Sequence, residues 1–172
     1  EEWYNLPWPQ HREDRWILSR CNRLVHQVNE LLRDFRVGEA ERELYDFFWS
    51  EFCDWYIEMA KVRLRGGDNM PRIVLAHVLE RTLRLLHPFM PFITEEIWQL
   101  LGHAAPERGL PQPAPAPASM MSATWPTANQ AHIDAASETQ FVIFQKVLGA
   151  LREIRSRQNI PPRKSIRFSV GC

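Results

Sequence analysis

The sequence lacks the features that mark membrane and secreted proteins. No apolar run approaches the roughly 20 residues that cross a membrane as a helix, and no basic segment followed by an apolar one opens the chain. The three cysteines, Cys21, Cys53 and Cys172, are odd in number and have no paired spacing. Because such cysteines are typical of a reducing compartment, we expect a cytoplasmic protein without a membrane segment.

The sequence also lacks the residue patterns of catalysis and metal binding. Gly66-Gly67-Asp68 has neither the preceding strand nor the later glycines of a phosphate-binding loop, and the six histidines stand apart. The acid pair Glu95-Glu96 falls in the first turn of a predicted helix, where carboxylates favour the positive end of the helix dipole. We therefore expect no catalytic, cofactor or metal site in this chain.

Charge is balanced over the whole chain but unevenly distributed. The formal net charge is zero, so nothing in it attracts a polyanion to the chain as a whole. Residues 37–60 carry seven acids and one base, whereas residues 141–172 carry seven bases and one acid. The bases are mostly arginine, whose planar fork suits phosphate. An arginine-rich genome composition would explain this bias equally well.

Apolar residues recur at helical spacing through most of the chain. This periodicity predicts a mainly α fold with helices over residues 14–35, 38–64, 69–87, 94–101 and 135–158. The second helix has more aromatic residues than one buried stripe can hold, so we expect it to lie at the centre of the bundle, packed against more than one neighbour. The first helix has one continuous apolar stripe, formed by Ile17, Cys21, Leu24, Val28, Leu31 and Phe35. We expect its polar residues Arg20, Asn22 and Arg23 to face outward.

The stretch between His87 and Thr94 predicts a rigid corner between two helices. Pro88 ends the first of them, and Thr94 is placed to cap the second. The intervening side chains are too apolar for a solvated loop. We therefore expect this corner to be buried against other helices.

Composition divides the chain into four parts: a linker over 1–12, a helical bundle over 13–102, a Pro/Ala-rich surface loop over 103–133, and a helix plus strand over 134–172. The Pro-Ala alternation favours extended polyproline conformation, so we expect the tip of the loop to be poorly ordered. Ile166, Phe168 and Val170 alternate with polar residues, which predicts a single short β-strand.

Two groups of basic residues indicate binding. The arginine segment continues from the fifth helix into the strand and comprises Arg152, Arg155, Arg157, Arg163, Lys164 and Arg167. Such a set is typical of a phosphate-facing patch, although cations at a helix C-terminus also stabilise the helix alone. The turn cluster surrounds Gly66-Gly67 and comprises Lys61, Arg63, Arg65 and Arg72. It fits a binding role or solvated loop charge equally well.

Several long phrases resemble a known family. They are Phe52-Cys53-Asp54-Trp55-Tyr56-Ile57-Glu58, the stretch from Leu85 to Trp98, and Leu151-Arg152-Glu153-Ile154-Arg155-Ser156-Arg157 followed by Ile160-Pro161-Pro162. Together they are similar to the anticodon-binding domain of class I aminoacyl-tRNA synthetases, and most similar to the valine-specific members. The resemblance covers about residues 13–102 and 134–170.

The resemblance implies an antiparallel helical bundle that binds the anticodon stem-loop of valine tRNA. In a full-length valine–tRNA ligase, a catalytic domain using ATP and Mg²⁺, an editing domain and a coiled-coil arm would accompany it. The family's His-x-Gly-His and Lys-Met-Ser-Lys-Ser signatures are absent here, so the fragment itself would be non-catalytic. Candidate tRNA contacts are Ile57 and Lys61 for the anticodon, Arg20 and Arg23 more weakly, and the arginine segment for the RNA backbone.

The resemblance also implies that one bundle helix is missing. The chain begins at Glu1 rather than Met, and residues 1–12 are similar to the linker that follows that helix. The uncovered face of the first two helices would then be apolar and would favour self-association. Two alternative functions stay open: a non-catalytic helical module that binds a protein, and the anticodon domain of the isoleucine-specific relative.

Overall fold

A computed structural model of the chain describes residues 8–161, 164–167 and 169. The described part is mainly α, which confirms the predicted fold class. Its α-helices are α1 (Arg12–Arg33), α2 (Val37–Asp46), α3 (Glu58–Arg65), α4 (Met70–Leu86), α5 (Pro91–Ala104) and α6 (Ala135–Arg157). A π-helix, π1 (Phe47–Ile57), joins α2 to α3. Two short antiparallel strands, β1 (Glu107–Arg108) and β2 (Ala114–Pro115), lie between α5 and α6.

Helix α1 is the centre of the bundle, a place that the sequence predicted for the second helix. It packs against α2, α4 and α6. The predicted stripe is buried from Ile17 to Val28, but Leu18 and Val25 on another side of the helix are fully buried as well. Phe35 is exposed because α1 ends at Arg33 and Phe35 takes a positive φ.

Residues 37–65 form one continuous helical rod whose middle is π-helical. A π-helix closes hydrogen bonds five residues apart, so its turn is wider than that of an α-helix. The buried residues Phe47, Phe52 and Tyr56 are accordingly five and four residues apart. Ala60 occupies the core beyond this segment, whereas Val62 is exposed. The wide turn has rotated the side chains away from the α-helical register that the prediction assumed.

The corner between α4 and α5 differs from the prediction in two ways. Helix α5 begins at Pro91, because proline lacks an amide proton and its fixed φ suits the first helical position. Thr94 is therefore inside the helix, where its hydroxyl donates to the carbonyl oxygen of Met90 at 2.7 Å instead of capping. Met90, Phe92 and Ile93 are also exposed, whereas Phe89 packs against the core as expected. Thr94 and Trp98 are the buried residues of α5.

The loop between α5 and α6 lies on the bundle and is held there by side chains of the helices. The indole Nε1 of Trp98 donates to the carbonyl oxygen of Pro117 at 2.9 Å, and Met120 is buried. On α1, Asn29 accepts from the indole of Trp125 at 2.6 Å. The carboxamide of Asn22, predicted to face outward, is buried and accepts from the loop amide of Asn129 at 3.2 Å. These bonds argue against a loose loop.

The end of the chain departs from the predicted single strand. Among the described residues of this segment, 164–167 and 169, none lies in a strand, and no second strand runs beside them. A strand without a partner cannot form its ladder of hydrogen bonds. Phe168 and Val170 of that prediction, and residues 1–7 of the predicted linker, lie outside the described residues.

Candidate nucleic-acid interface

Arg63 of the turn cluster belongs to a buried network and not to the surface. Its guanidinium lies 2.7 Å from the buried carboxylate of Asp14 and 2.6 Å from Asp68, and the Tyr56 hydroxyl donates to Asp14 at 2.6 Å. Burial first, and then the neighbouring Asp14 carboxylate, raise the pKa of Tyr56. With only 13% of its side chain exposed, Arg63 joins the start of α1 to the end of α3.

Arg20 and Arg23, the weaker anticodon candidates on α1, are paired with carboxylates. Arg20 makes a two-pronged contact with Glu51 of π1, with both distances 2.7 Å. Arg23 donates to Glu138 of α6 at 2.9 Å. The Glu51 contact is the main cause of the raised pKa of Arg20. These two pairs attach π1 and α6 to α1, so RNA phosphate would have to compete with carboxylates already in place.

Ile57 and Lys61, the main anticodon candidates, lie on the side of the rod that faces α4. Ile57 lines a groove of about 510 Å³ between π1, α4 and α5. Lys61 is one helical turn further on, is exposed, and forms a salt bridge with Glu58. Arg72, from the first turn of α4, lines the same groove. Arg72 is the member of the turn cluster that lines this groove, although the cluster was not among the predicted anticodon contacts.

The arginine segment lies on the other side of the rod. Arg152 of α6 holds its guanidinium carbon 5.4 Å from the ring centre of Trp55, within the range of a cation–π contact. Arg155 donates to the carbonyl oxygen of Lys164, which folds the chain back beyond the end of α6. Arg157 pairs with Glu153 at the exposed surface. Lys164 and Arg167 are exposed, and Arg163 lies outside the described residues.

The candidates therefore form two surfaces and not one. Trp55 packs edge-on against Phe141 and Phe144 of α6, with ring centres 5.7 and 6.1 Å apart, whereas Ile57 faces α4 and α5. Lys146, also exposed on α6, adds a cation near the arginine segment that the prediction missed. The geometry offers an apolar groove with Arg72 at its wall and, separately, several cations around the C-terminal half of α6.

Within the described residues, no group of three His, Cys, Asp or Glu side chains is placed to hold a metal ion. None of the helices described is long and apolar enough to cross a membrane. The described surface therefore offers a ligand an apolar groove and exposed basic side chains.

Comparison with known proteins identifies the family of the chain. A family model described as the anticodon-binding domain of tRNA ligase matches residues 14–170. The chain belongs to this family, which confirms the resemblance seen in the sequence.

Several relatives at 39–45% identity are named valine–tRNA ligase. The proteins of Rhodopirellula baltica, Listeria monocytogenes and Synechocystis are 45%, 44% and 45% identical to the chain over 163, 161 and 158 residues. These matches cover 93%, 91% and 87% of the chain but only 16%, 17% and 16% of the respective relatives. The chain thus spans about a sixth of the length of the curated relatives it matches.

Proposed function

We propose that this chain is the module of a valine–tRNA ligase that binds the anticodon stem-loop of valine tRNA. The observation that carries the proposal is the family match over residues 14–170, together with relatives named valine–tRNA ligase at 39–45% identity. In the full-length enzyme, other domains would attach valine to the tRNA with ATP and Mg²⁺. Its partners would be valine tRNA and the catalytic, editing and coiled-coil domains of the same polypeptide. Such a ligase serves translation, which places it in the cytoplasm.

The arginine segment supplies contacts to RNA phosphates in this proposal. Anticodon loops are unstacked single strands, so a protein holds their backbone with cations and reads their bases by stacking and by hydrogen bonds to base edges. Arg152 is exposed and is oriented by Trp55, and Lys164 and Arg167 are exposed beyond it. Arg155 holds the turn in which Lys164 lies, and Arg157 is exposed at the end of α6. Arg163, which lies outside the described residues, belongs to the same proposed contact by its place in the sequence.

The groove beside Ile57 supplies a place for a base. Its walls include Phe52, Leu75 and Leu79, which offer apolar surface to the face of an unstacked ring. Arg72 lies at the groove, and Lys61 follows Ile57 by one helical turn. Arg20 and Arg23 are the weaker contacts in this scheme because each already binds a carboxylate.

Binding of labelled tRNA over a range of salt concentrations tests the proposal. Valine tRNA should bind the 172-residue chain more tightly than isoleucine tRNA, with log affinity falling linearly with log salt concentration. Arg152→Ala should lower that slope by about 0.7, the value for one contact to a single-stranded phosphate. Arg42→Ala is the matched control, since Arg42 is exposed on α2 in the acidic part of the chain. Equal binding of both tRNAs without salt dependence would refute the proposal.

A protein-interaction module is the second candidate function. It is favoured by Tyr45 and Trp49, whose rings are exposed on adjacent turns with centres 6.3 Å apart. Both lie in the acidic segment 37–60, whose negative charge disfavours RNA. A protein complex that survives replacement of Arg152, Arg155 and Arg157 by alanine, but not of Trp49, would favour this function over RNA binding.

We also propose that the isolated chain self-associates. The groove of Ile57 provides an open apolar face, although it involves α4 and α5 as well as the rod and so differs from the face expected from the sequence. Leu79→Asp should abolish a dimer detected by analytical ultracentrifugation. A strictly monomeric wild-type chain at high concentration would exclude self-association.

A further inference from the structure

The corner between α4 and α5 carries a group of exposed apolar side chains, which we call the corner patch. Its members and their exposed fractions are Met90 (48%), Phe92 (91%), Ile93 (58%) and Met121 (80%). Phe92 and Met121, which are far apart in the sequence, line one shallow groove of about 420 Å³. Contiguous apolar exposure of this kind is typical of a surface that binds a partner.

The backbone beneath the corner patch is fixed. Pro91 occupies the first turn of α5, and the buried Thr94 hydroxyl lies 2.8 Å from Nδ1 of His87. Glu95 accepts from the amide of Met120 at 2.9 Å, which holds Met121 beside α5. Phe92 is therefore exposed on a segment that hydrogen bonds hold in place, and not on a frayed helix end.

Charge around the corner patch selects the kind of partner. Glu95 and Glu96 line the same groove as Phe92, and His87 at this groove interacts with Glu95; within the described part of the chain, neither carboxylate forms a salt bridge with Lys or Arg. Two carboxylates at its edge disfavour contact with RNA phosphate. An apolar protein surface bordered by a basic side chain would match the patch in both shape and charge.

We propose that the corner patch docks against another part of the same ligase polypeptide, on an apolar surface bordered by a basic residue. The inference rests on the proposed function, which makes this chain one domain of a longer enzyme. The relatives are about six times as long as the chain, since it corresponds to 16–17% of their lengths. Most of the enzyme therefore lies outside this chain, and a rigid, exposed apolar corner is a surface on which another part of it can pack.

Hydrogen exchange in the full-length ligase and in the 172-residue chain tests this docking. The amides of Phe92 and Ile93 lie in the first turn of α5, where no intrahelical carbonyl oxygen can pair with them. They should exchange at least about tenfold more slowly in the full-length enzyme than in the 172-residue chain. Val37 and Gly38, which start α2 beside another exposed apolar side chain, are the internal control and should exchange equally in both.

Phe92→Ser should remove most of this protection in the full-length enzyme, whereas Val37→Ser should leave it unchanged. Equal exchange of Phe92 and Ile93 in both proteins would overturn the proposal. So would protection that appears in the 172-residue chain on raising its concentration, or only after tRNA is added. If tRNA fails to bind while the corner is protected, the proposed RNA function fails and the docking surface stands.

Discussion

Removal of the Asp14 carboxylate should be among the most destabilising single changes in this domain. Asp14 is fully buried, and it accepts from the Tyr56 hydroxyl at 2.6 Å and from Arg63 at 2.7 Å. Asp14→Ala would leave the buried Tyr56 hydroxyl without an acceptor. It would also remove one carboxylate from Arg63, whose side chain is only 13% exposed. Arg63 keeps its contacts to Glu13 and Asp68, so the lost charged hydrogen bond and the unpaired Tyr56 hydroxyl should together cost about 2–4 kcal/mol.

Urea unfolding at neutral pH measures this loss, provided that the slope m is the same for each variant. Asp54→Ala is the control: Asp54 is an exposed carboxylate on π1, and its removal should change stability by less than about 0.5 kcal/mol. Tyr56→Phe should cost about 1–2 kcal/mol alone but almost nothing in the Asp14→Ala background, where the hydroxyl has already lost its acceptor. An Asp14→Ala variant within about 1 kcal/mol of the wild type would refute the account of the network.

Three further predictions concern pH dependence and the loop. Hydrogen bonds from Ser137 and the nearby Arg15 lower the pKa of Asp134, the cap of α6, to about 2. The contribution of Asp134 to stability is therefore complete above the ordinary pKa near 4 and is lost as pH falls towards 2. Asp134→Ala should cost about 1 kcal/mol at pH 6. Urea unfolding at several pH values should also show a smaller loss of stability between pH 4 and pH 2 in this variant than in the wild type. Burial lowers the pKa of His77 to about 3, so between about pH 6.5 and pH 3 the unfolded chain binds a proton that the folded chain does not. Stability should therefore fall as the pH drops through this range, and His77→Leu should remove this fall. Trp98→Phe deletes the hydrogen bond from the indole to the carbonyl oxygen of Pro117, so limited proteolysis should cut the Pro/Ala tract faster in this variant than in the wild type. Trp125→Phe is the control: it loses only the hydrogen bond to Asn29 on α1, and its tract should be cut more slowly than that of Trp98→Phe.

Helical periodicity was sufficient to predict which segments are helical, because burial of one stripe determines where apolar residues must recur. It failed in the rod, where the spacing of Phe47, Phe52 and Tyr56 follows a π turn that an α-helical template does not contain. It also failed at the corner. The pattern shows that Phe92 is apolar and near a helix start, but whether another element covers it depends on packing far along the chain.

The candidate site was only partly predictable for a similar reason. The partners of Arg20 and Arg23 are Glu51 and Glu138, which are 31 and 115 residues away in the sequence. Such pairs exist only once α1, π1 and α6 have packed together, so sequence spacing alone cannot separate a structural arginine from one that faces solvent. The division of the candidates between two sides of the rod likewise depends on what packs against each side, since α6 covers the side of Trp55 and α4 the side of Ile57.

The π-helix is the place where the rod can change its length by one residue. A π turn holds one residue more than an α turn, so loss of one residue between Phe47 and Ile57 would let that turn close as an α turn while the helix beyond it keeps its orientation to α2. Arg63 would then still face Asp14. Loss of one residue in α3 has no wide turn to absorb it and would rotate every later side chain of that helix by about 100°. Homologous chains that differ in length along the rod should therefore differ within π1 and not within α3.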